Sequence, residues 1–263
     1  MAEYRTIWVS DLHLGTRGAN ADAFLEFIKN NQCETLYLVG DIIDIWALRR
    51  GIYWPQSHND VLQKILRLGR KGVKVIYIPG NHDEFVDSFL GNYGAITIQK
   101  NDIHTTAAGQ RILVIHGHEL DSVIQNLGWL AHVGDIGYKL LLRLNPMVNF
   151  FRRLSGKEYW SLSAYIKNEV KNVISFISKF EETVSRFAEE QQVEAVLCGH
   201  IHHPAIRQFD QTHYYNCGDW VENCSALVEY PDGHIELLSF PPRSSVKSRD
   251  LEMSGASRGA GRP

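Results

Sequence analysis

Aspartate, asparagine and histidine recur along this chain in short motifs: Asp11-Leu12-His13, Gly40-Asp41, Gly80-Asn81-His82-Asp83, His116-Gly117-His118 and Gly199-His200-Ile201-His202. Carboxylate, amide oxygen and imidazole are donors that manganese, iron and zinc accept, whereas an all-oxygen set suits magnesium or calcium and thiolates suit structural zinc. In Asp-x-His and His-x-His the first and third side chains leave an extended segment on one face, so both can reach a common point. Glycine precedes Asp41, Asn81 and His200, where a missing Cβ lets the chain turn sharply and lets backbone approach a ligand. Singly, each motif has a plain reading: Asp-x-His as a strand-end turn, Gly-Asp as a turn dipeptide, the histidine-rich pairs as solvated loops. Five of them in one chain point to a metal site.

Each motif follows a short run rich in β-branched or aromatic residues, namely Thr6–Val9, Thr35–Val39, Val73–Ile78, Arg111–Ile115 and Val193–Leu197. These runs predict five buried strands. Helical spacing at Ala23–Ile28 and Val61–Leu66 lies between strands, which makes the base architecture layered α/β. Ala108-Gly109-Gln110 reads as a hairpin turn, so the sheet is expected to be mixed. Ligands gather outside strand carboxyl ends in open α/β sheets, and the five motifs should therefore meet at one edge.

From about residue 121 to 192 the rhythm turns helical, as in an inserted cap. Ile166, Val170, Val173, Ile177, Phe180, Val184 and Phe187 keep the spacing of one long amphipathic helix. On its polar side Asn168 and Lys171 are candidate substrate contacts. Earlier in the insertion Trp129, Leu140, Phe150 and Phe151 are interleaved with Lys139, Arg143 and Arg152. That mixture suits a lid taking apolar chains at an anionic membrane surface, and equally suits a cap packing on the main domain. Residues 1–240 read as one domain carrying this insertion. The Pro-, Ser-, Gly- and Arg-rich end, 241–263, cannot bury enough surface to fold and is expected to be disordered.

An apolar fraction of 44% with 22% charged residues excludes disordered and fibrous classes. The net charge of −3 gives no reason to expect a nucleic-acid partner. No apolar run approaches the roughly 20 residues of a membrane-spanning helix, and Met1-Ala2-Glu3-Tyr4-Arg5 leads into a strand rather than a signal peptide. The expected location is cytoplasmic, with contact at the inner face of the membrane through the cap. Cys33, Cys198, Cys217 and Cys224 lack CxxC spacing and read as small apolar residues. Oligomeric state leaves no mark on the sequence.

In this order the motifs resemble the calcineurin-like metallophosphoesterase family, whose pattern is DxH, GD, GNHD or GNHE, a histidine, then GHxH; the resemblance runs from about Thr6 to Phe240. It implies a four-layer αββα sandwich, two mixed sheets facing each other with helices outside. It also implies two divalent metal ions, manganese first, with iron or zinc as alternatives. By position, Asp11, His13, Asp41 and His202 would hold one ion, and Asp41, Asn81, His116 and His200 the other, with Asp41 bridging. The implied reaction is in-line displacement at phosphorus, the two ions clamping phosphoryl oxygens and activating water. His82 would stabilise charge or protonate the leaving oxygen, and Asp83 would either orient His82 or cap the next helix. His118 is read as a supporting neighbour, and His58, His104, His203 and Cys198 as packing or surface. Trp46, Tyr53 and Trp54 either line a substrate cleft or pack in the core.

Ser10-Asp11-Leu12-His13-Leu14-Gly15, Val39-Gly40-Asp41-Ile42-Ile43-Asp44 and the helical insertion resemble, more narrowly, the UDP-2,3-diacylglucosamine diphosphatases of the lipid A pathway. That implies a nucleotide-linked lipid cut to UMP and a lipid phosphate. Well-known members of that group carry arginine where this chain has His82. Histidine suits a poorer leaving group such as an alkoxide, so another lipid-linked or nucleotide phosphodiester stays open as the substrate. A nuclease or cyclic-nucleotide phosphodiesterase would want a basic groove or stacking platform that the sequence does not display. A non-catalytic scaffold of the same fold would not need the full ligand set.

Overall fold

The computed structural model of the chain describes residues 2–121 and 162–240, the side chains of 162–172 excepted. Three apolar runs form parallel neighbours, β1 (Ala2–Val9), β2 (Asn31–Val39) and β3 (Lys74–Ile78), with α1 (Ala21–Asn30) between the first two and α2 (Ile45–Arg50) and α3 (Gln56–Arg70) between the next. Past a 3-10 turn at Glu84–Phe89 come β4 (Gly91–Tyr93) and β5 (Ile96–Ile98). The chain then forms β6 (Asp102–Thr105) and β7 (Arg111–Val114), the long helix α4 (Leu162–Glu190), and β8 (Ala195–Cys198), β9 (Ala205–Phe209), β10 (Thr212–Asn216), β11 (Ser225–Glu229) and β12 (Ile235–Ser239). One sheet has the order β12-β11-β1-β2-β3-β5-β4 and the other β6-β7-β8-β10-β9, and both mix parallel and antiparallel pairs.

Alternation along β1 separates two cores. Ile7 and Val9, with Leu36, Leu38 and Val75, face Phe24, Phe27 and Ile28 of α1 and Val61 and Ile65 of α3. Trp8, with Tyr37, Val39, Ile76 and Ile78, faces Ile112, Val114, Ala195, Leu197 and Tyr215 of the second sheet. Strands buried on both faces must be apolar at successive positions, and each such Val, Leu or Ile contributes about 1.5–3 kcal/mol of burial. This is why the five runs stand out in sequence.

The hairpin predicted at Ala108-Gly109-Gln110 joins β6 to β7: Thr106 N donates to Gln110 O at 2.9 Å, and Gly109 takes φ +87°. Seven further strands among the described residues, β6 being foreshadowed only by that turn, were not read from the sequence as apolar runs. Those such as β4, fully exposed, and β9, with three exposed central residues, carry too little apolar patterning.

The chain divides into two compact units, Met1–His118 with Ala188–Pro263, and Glu119–Phe187. The predicted amphipathic helix is α4, whose larger part belongs to the second unit. The expected lid residues Trp129 to Arg152, the tail 241–263 and the side chains of Asn168 and Lys171 lie outside the described residues. No helix among the described residues is long and apolar enough to cross a membrane. All four cysteines are free thiols.

Candidate metal centre

Because β1, β2 and β3 are parallel neighbours, as are β7 and β8, the five motifs emerge at the strand carboxyl ends. Hydrogen bonds interlock the loops that follow: Asp11 N donates to Gly40 O (3.1 Å), His13 N to Asp41 O (2.9 Å) and Gly199 N to His116 O (3.1 Å). The carboxylates take part as well, Asp41 Oδ1 accepting from His82 N (2.8 Å) and Asp11 Oδ2 from His200 N (3.0 Å). Asp11, His13, Asp41, His200 and His202 all adopt left-handed backbone, with φ from +47° to +67°. Each such residue costs of order 1–3 kcal/mol and persists only where its surroundings impose it. Gly80 and Gly199 show why glycine recurs here. A Cβ on Gly80 would meet Asp41 and His116, and one on Gly199 would meet Asp11 and Ser10.

The side chains converge on two buried carboxylates. Asp11 Oδ1 lies 3.0 Å from His202 Nε2 and 3.7 Å from His13 Nε2. Asp41 Oδ2 lies 3.5 Å from His116 Nε2, 3.8 Å from His13 Nε2 and 4.0 Å from His82 Nε2. Three sets result, Asp11/His13/His202, Asp11/Asp41/His116 and His13/Asp41/His82, in each of which the donor atoms lie within 4.8 Å of one another. His200 falls outside these sets, its ring 5.2 Å from that of His116. The Oδ1 of Asn81 and the Nε2 of His116 are buried without a hydrogen-bond partner, an arrangement costing roughly 1–3 kcal/mol per group. His13 Nδ1 lies 3.0 Å from Asp44 Oδ2 and His116 Nδ1 2.9 Å from Val39 O, so each ring can donate outward and turn a lone pair inward.

Charge follows the same logic. Burial pushes the Asp11 carboxyl up, yet His202 and His13 hold it well below the carboxylate range. Asp41, likewise opposed by burial, is drawn down to about 2 by His116. Against their own burial, His13 rises to about 10 beside Asp11 and Asp44, and His116 to about 10 beside Asp41. The cluster draws positive charge to itself, and its inward-facing oxygens and nitrogens fit divalent cations of the N/O-accepting kind.

His82 reaches the cluster with its Nε2 and is held from behind. Its Nδ1 lies 3.1 Å from Asp44 Oδ2, and its ring rests 4.4 Å from that of Trp46. Asp83, expected to orient His82 or to cap the next helix, stands at the N-cap position of the 3-10 turn and accepts there from Val86 N through its carbonyl, while its side chain makes no cap bond. Fully buried, it accepts from Gly80 N (2.6 Å), Ile42 N (2.8 Å) and the Tyr77 hydroxyl, stapling two of the loops together. Asp44 holds both His13 and His82, and its other oxygen caps α2 through Ala47 N at 2.7 Å. The signal for it was the second aspartate of Gly40-Asp41-Ile42-Ile43-Asp44. Beside His82 lies a cavity of about 390 Å³ lined by Ile45, Trp46, Arg49, Glu84 and Phe85, among others. Trp46 thus lines a cleft, whereas Tyr53 and Trp54 pack on His58, whose Nδ1 accepts from Gly15 N.

The sequence profile of the calcineurin-like phosphoesterases matches residues 4–204. This chain belongs to the calcineurin-like phosphoesterase family. The phosphoesterase is accordingly a metal-dependent hydrolase of phosphoric esters, built as the mixed α/β sandwich described above. It is 27% identical over 248 residues to a UDP-2,3-diacylglucosamine hydrolase of Pectobacterium carotovorum subsp. carotovorum (strain PC1), the match covering 90% of this chain and 99% of the relative. With an enzyme of the same name from Salmonella paratyphi B it shares 25% over 244 residues, at 90% and 99% coverage. Among solved structures, a hypothetical protein of Pyrococcus horikoshii OT3 aligns over 97% of this phosphoesterase and 95% of its own chain, with a TM-score of 0.50 at 10% identity, a likeness of fold.

Proposed function

We propose that this phosphoesterase hydrolyses the pyrophosphate of a nucleotide-linked lipid, UDP-2,3-diacylglucosamine, to UMP and 2,3-diacylglucosamine 1-phosphate. The supporting observation is coverage: the relatives that carry this activity in their names are matched over 99% of their length, through the insertion as well as the motifs. In this reading Asp11, His13, Asp41 and His202 hold one divalent cation and Asp41, Asn81, His116 and His200 a second, manganese being the preferred ion. Two such cations supply Lewis-acid charge and an activated water for displacement at phosphorus.

The chain's own groups do the rest. Asp44 Oδ2, 3.1 Å from His82 Nδ1, favours an imidazole that keeps its Nδ1 proton, so that Nε2, directed at the cluster, can give its own proton to the leaving oxygen and end as the neutral ring. Trp46 covers one face of the imidazole and fixes the ring. The cavity beside it receives the group attached to that oxygen. The insertion, with Asn168 and Lys171, contacts the lipid-linked half at the inner face of the membrane, and the enzyme works from the cytoplasm.

An imidazole at position 82 also favours a second reading, hydrolysis of another lipid-linked or nucleotide phosphodiester with an alkoxide leaving group. One assay separates the two: manganese-loaded protein is given UDP-2,3-diacylglucosamine, a cyclic nucleotide and bis-p-nitrophenyl phosphate. The first reading expects UMP release at the highest kcat/KM of the three. Turnover confined to the diesters would overturn it in favour of the second.

A further inference from the structure

Behind the strand ends runs a turn that none of the five motifs includes, Cys217-Gly218-Asp219-Trp220-Val221-Glu222-Asn223-Cys224. Asp219 is fully buried, and its Oδ1 accepts from Val221 N (2.7 Å), Glu222 N (2.5 Å) and Asn223 N (3.3 Å). The other oxygen receives the Asn223 side-chain amide, and the same Nδ2 donates to His202 O at 3.0 Å. Three residues before Asn223, Trp220 N donates to Asp11 O at 3.0 Å, and Ser10 Oγ donates to Gly218 O at 2.8 Å. The turn is anchored independently of the site. Asn20 N donates to Trp220 O, its Nδ2 donates to Val221 O, and the Trp220 ring packs on Phe24 and Phe27.

The two carbonyls held by this turn belong to Asp11 and His202, whose side chains lie 3.0 Å apart and whose backbones are both left-handed, at φ +53° and +52°. Conformations of that kind last only where external contacts over-determine them. We infer that Asn223, locked by Asp219, is a positioning residue that fixes the His202 backbone so that its imidazole meets Asp11 in register for one of the two cations. The inference rests on the metal assignment proposed above. It predicts an asymmetry: the turn acts on the His202 end of the cluster, while the His116 end takes its orientation from Val39 O.

The test is a manganese titration by calorimetry of metal-stripped protein, wild type against Asn223→Ala and Asn223→Leu. The second variant keeps the approximate bulk, removes the donor and sets no second carboxylate against that of Asp219. Asn223 is exposed, so both variants should fold with the melting temperature of the stripped wild type. Expected is a loss of about tenfold or more in affinity for one of two equivalents, the usual consequence of removing a group that orients a ligand, with the other equivalent unchanged. Equal binding by all three proteins would overturn the inference. So would an equal loss of both equivalents, or a lowered melting temperature of the stripped variants, since either would make the contact merely structural. A wild type that binds no manganese would instead refute the metal assignment itself.

Discussion

Among the described residues of this sandwich, two buried charged clusters are built on opposite principles. At the strand ends Asp11 and Asp41 share a crowded space with four imidazoles, the backbone is strained, and buried atoms of Asn81 and His116 lack hydrogen-bond partners. The second cluster centres on Glu229, the last residue of β11. Its carboxylate accepts from Arg5 Nη1 (2.6 Å), Thr6 Oγ1 (2.8 Å) and Ala107 N (2.8 Å), with His104 Nε2 at 2.8 Å. Arg5, Thr6 and Glu229 belong to one sheet and His104 to the other, so the network bolts the sheets together. Satisfied charge holds a fold, whereas unsatisfied charge held in place by strain waits for a ligand. The two should therefore fail differently when mutated.

Asp41→Asn tests the first half of that contrast and carries the largest effect. It should abolish turnover and remove at least one metal equivalent, measured by elemental analysis. A variant that kept two metals and near-wild-type rate would contradict the assignment of Asp41 as the bridge. Next in size, His82→Ala should leave metal content intact and slow the chemical step by about 10²–10⁴-fold. His82→Arg should then hurt an alkoxide leaving group more than a phosphate one, since arginine stabilises charge without giving up its proton. Equal losses on both substrates would argue against a proton donor at that position.

How much of this could be read in the sequence differs between the clusters for the same reason. Asp11, His13, Asp41, Asn81, His82, His116, His200 and His202 sit in local motifs after apolar strands, so type, spacing and topology together brought them to one edge. Partners set by tertiary folding were harder. Asp83 is adjacent to His82 in sequence, but the 3-10 turn carries its carboxylate to Ile42 N, and the residue against His82 is Asp44. Gly218-Asp219 has the same letters as Gly40-Asp41, yet it braces the site from behind, a difference no dipeptide encodes. Glu229 draws its partners from residues as far apart as Arg5 and His104, and a glutamate ending a strand looks solvated until those partners are known.

Glu229→Gln tests the second half of the contrast. The folded carboxyl is lowered from 4.5 to about 2: burial opposes the shift, and His104, the Ala107 amide and Arg5 outweigh it. A lowered carboxyl stabilises the fold fully above its unfolded value of 4.5, and the stabilisation is lost as pH falls toward about 2. A shift of that size corresponds to about 3 kcal/mol at neutral pH. Urea unfolding of stripped protein should show a deficit of that order for the variant at pH 7, shrinking as the pH is taken from 5 toward 2. Metal content and kcat at 25 °C should be those of the wild type. A deficit that did not change with pH, or a loss of metal, would mean that the two clusters are not separable in this way.

The smallest effect comes from the neutral edge of the same network. The Tyr37 hydroxyl donates to Asp102 Oδ2 at 2.7 Å and lies 3.4 Å from His104 Nδ1, while its ring stacks on Trp8 at 5.8 Å. Tyr37→Phe keeps the stacking and deletes one donor to a half-buried carboxylate, so the cost should lie at the low end of the range for a hydrogen bond to a charged group, about 1.5–3 kcal/mol. Burial and the Asp102 carboxylate push the hydroxyl well above its ordinary range, so it stays protonated throughout neutral pH. The deficit of Tyr37→Phe should accordingly be flat between pH 6 and 9. Combining it with Glu229→Gln gives the sharper result, because His104 touches both side chains. If the network acts as one unit through that imidazole, the double variant should lose less than the two single losses added together, by at least about 0.5 kcal/mol. Strict additivity would divide the network into two separate bonds between the sheets, with His104 serving Glu229 alone.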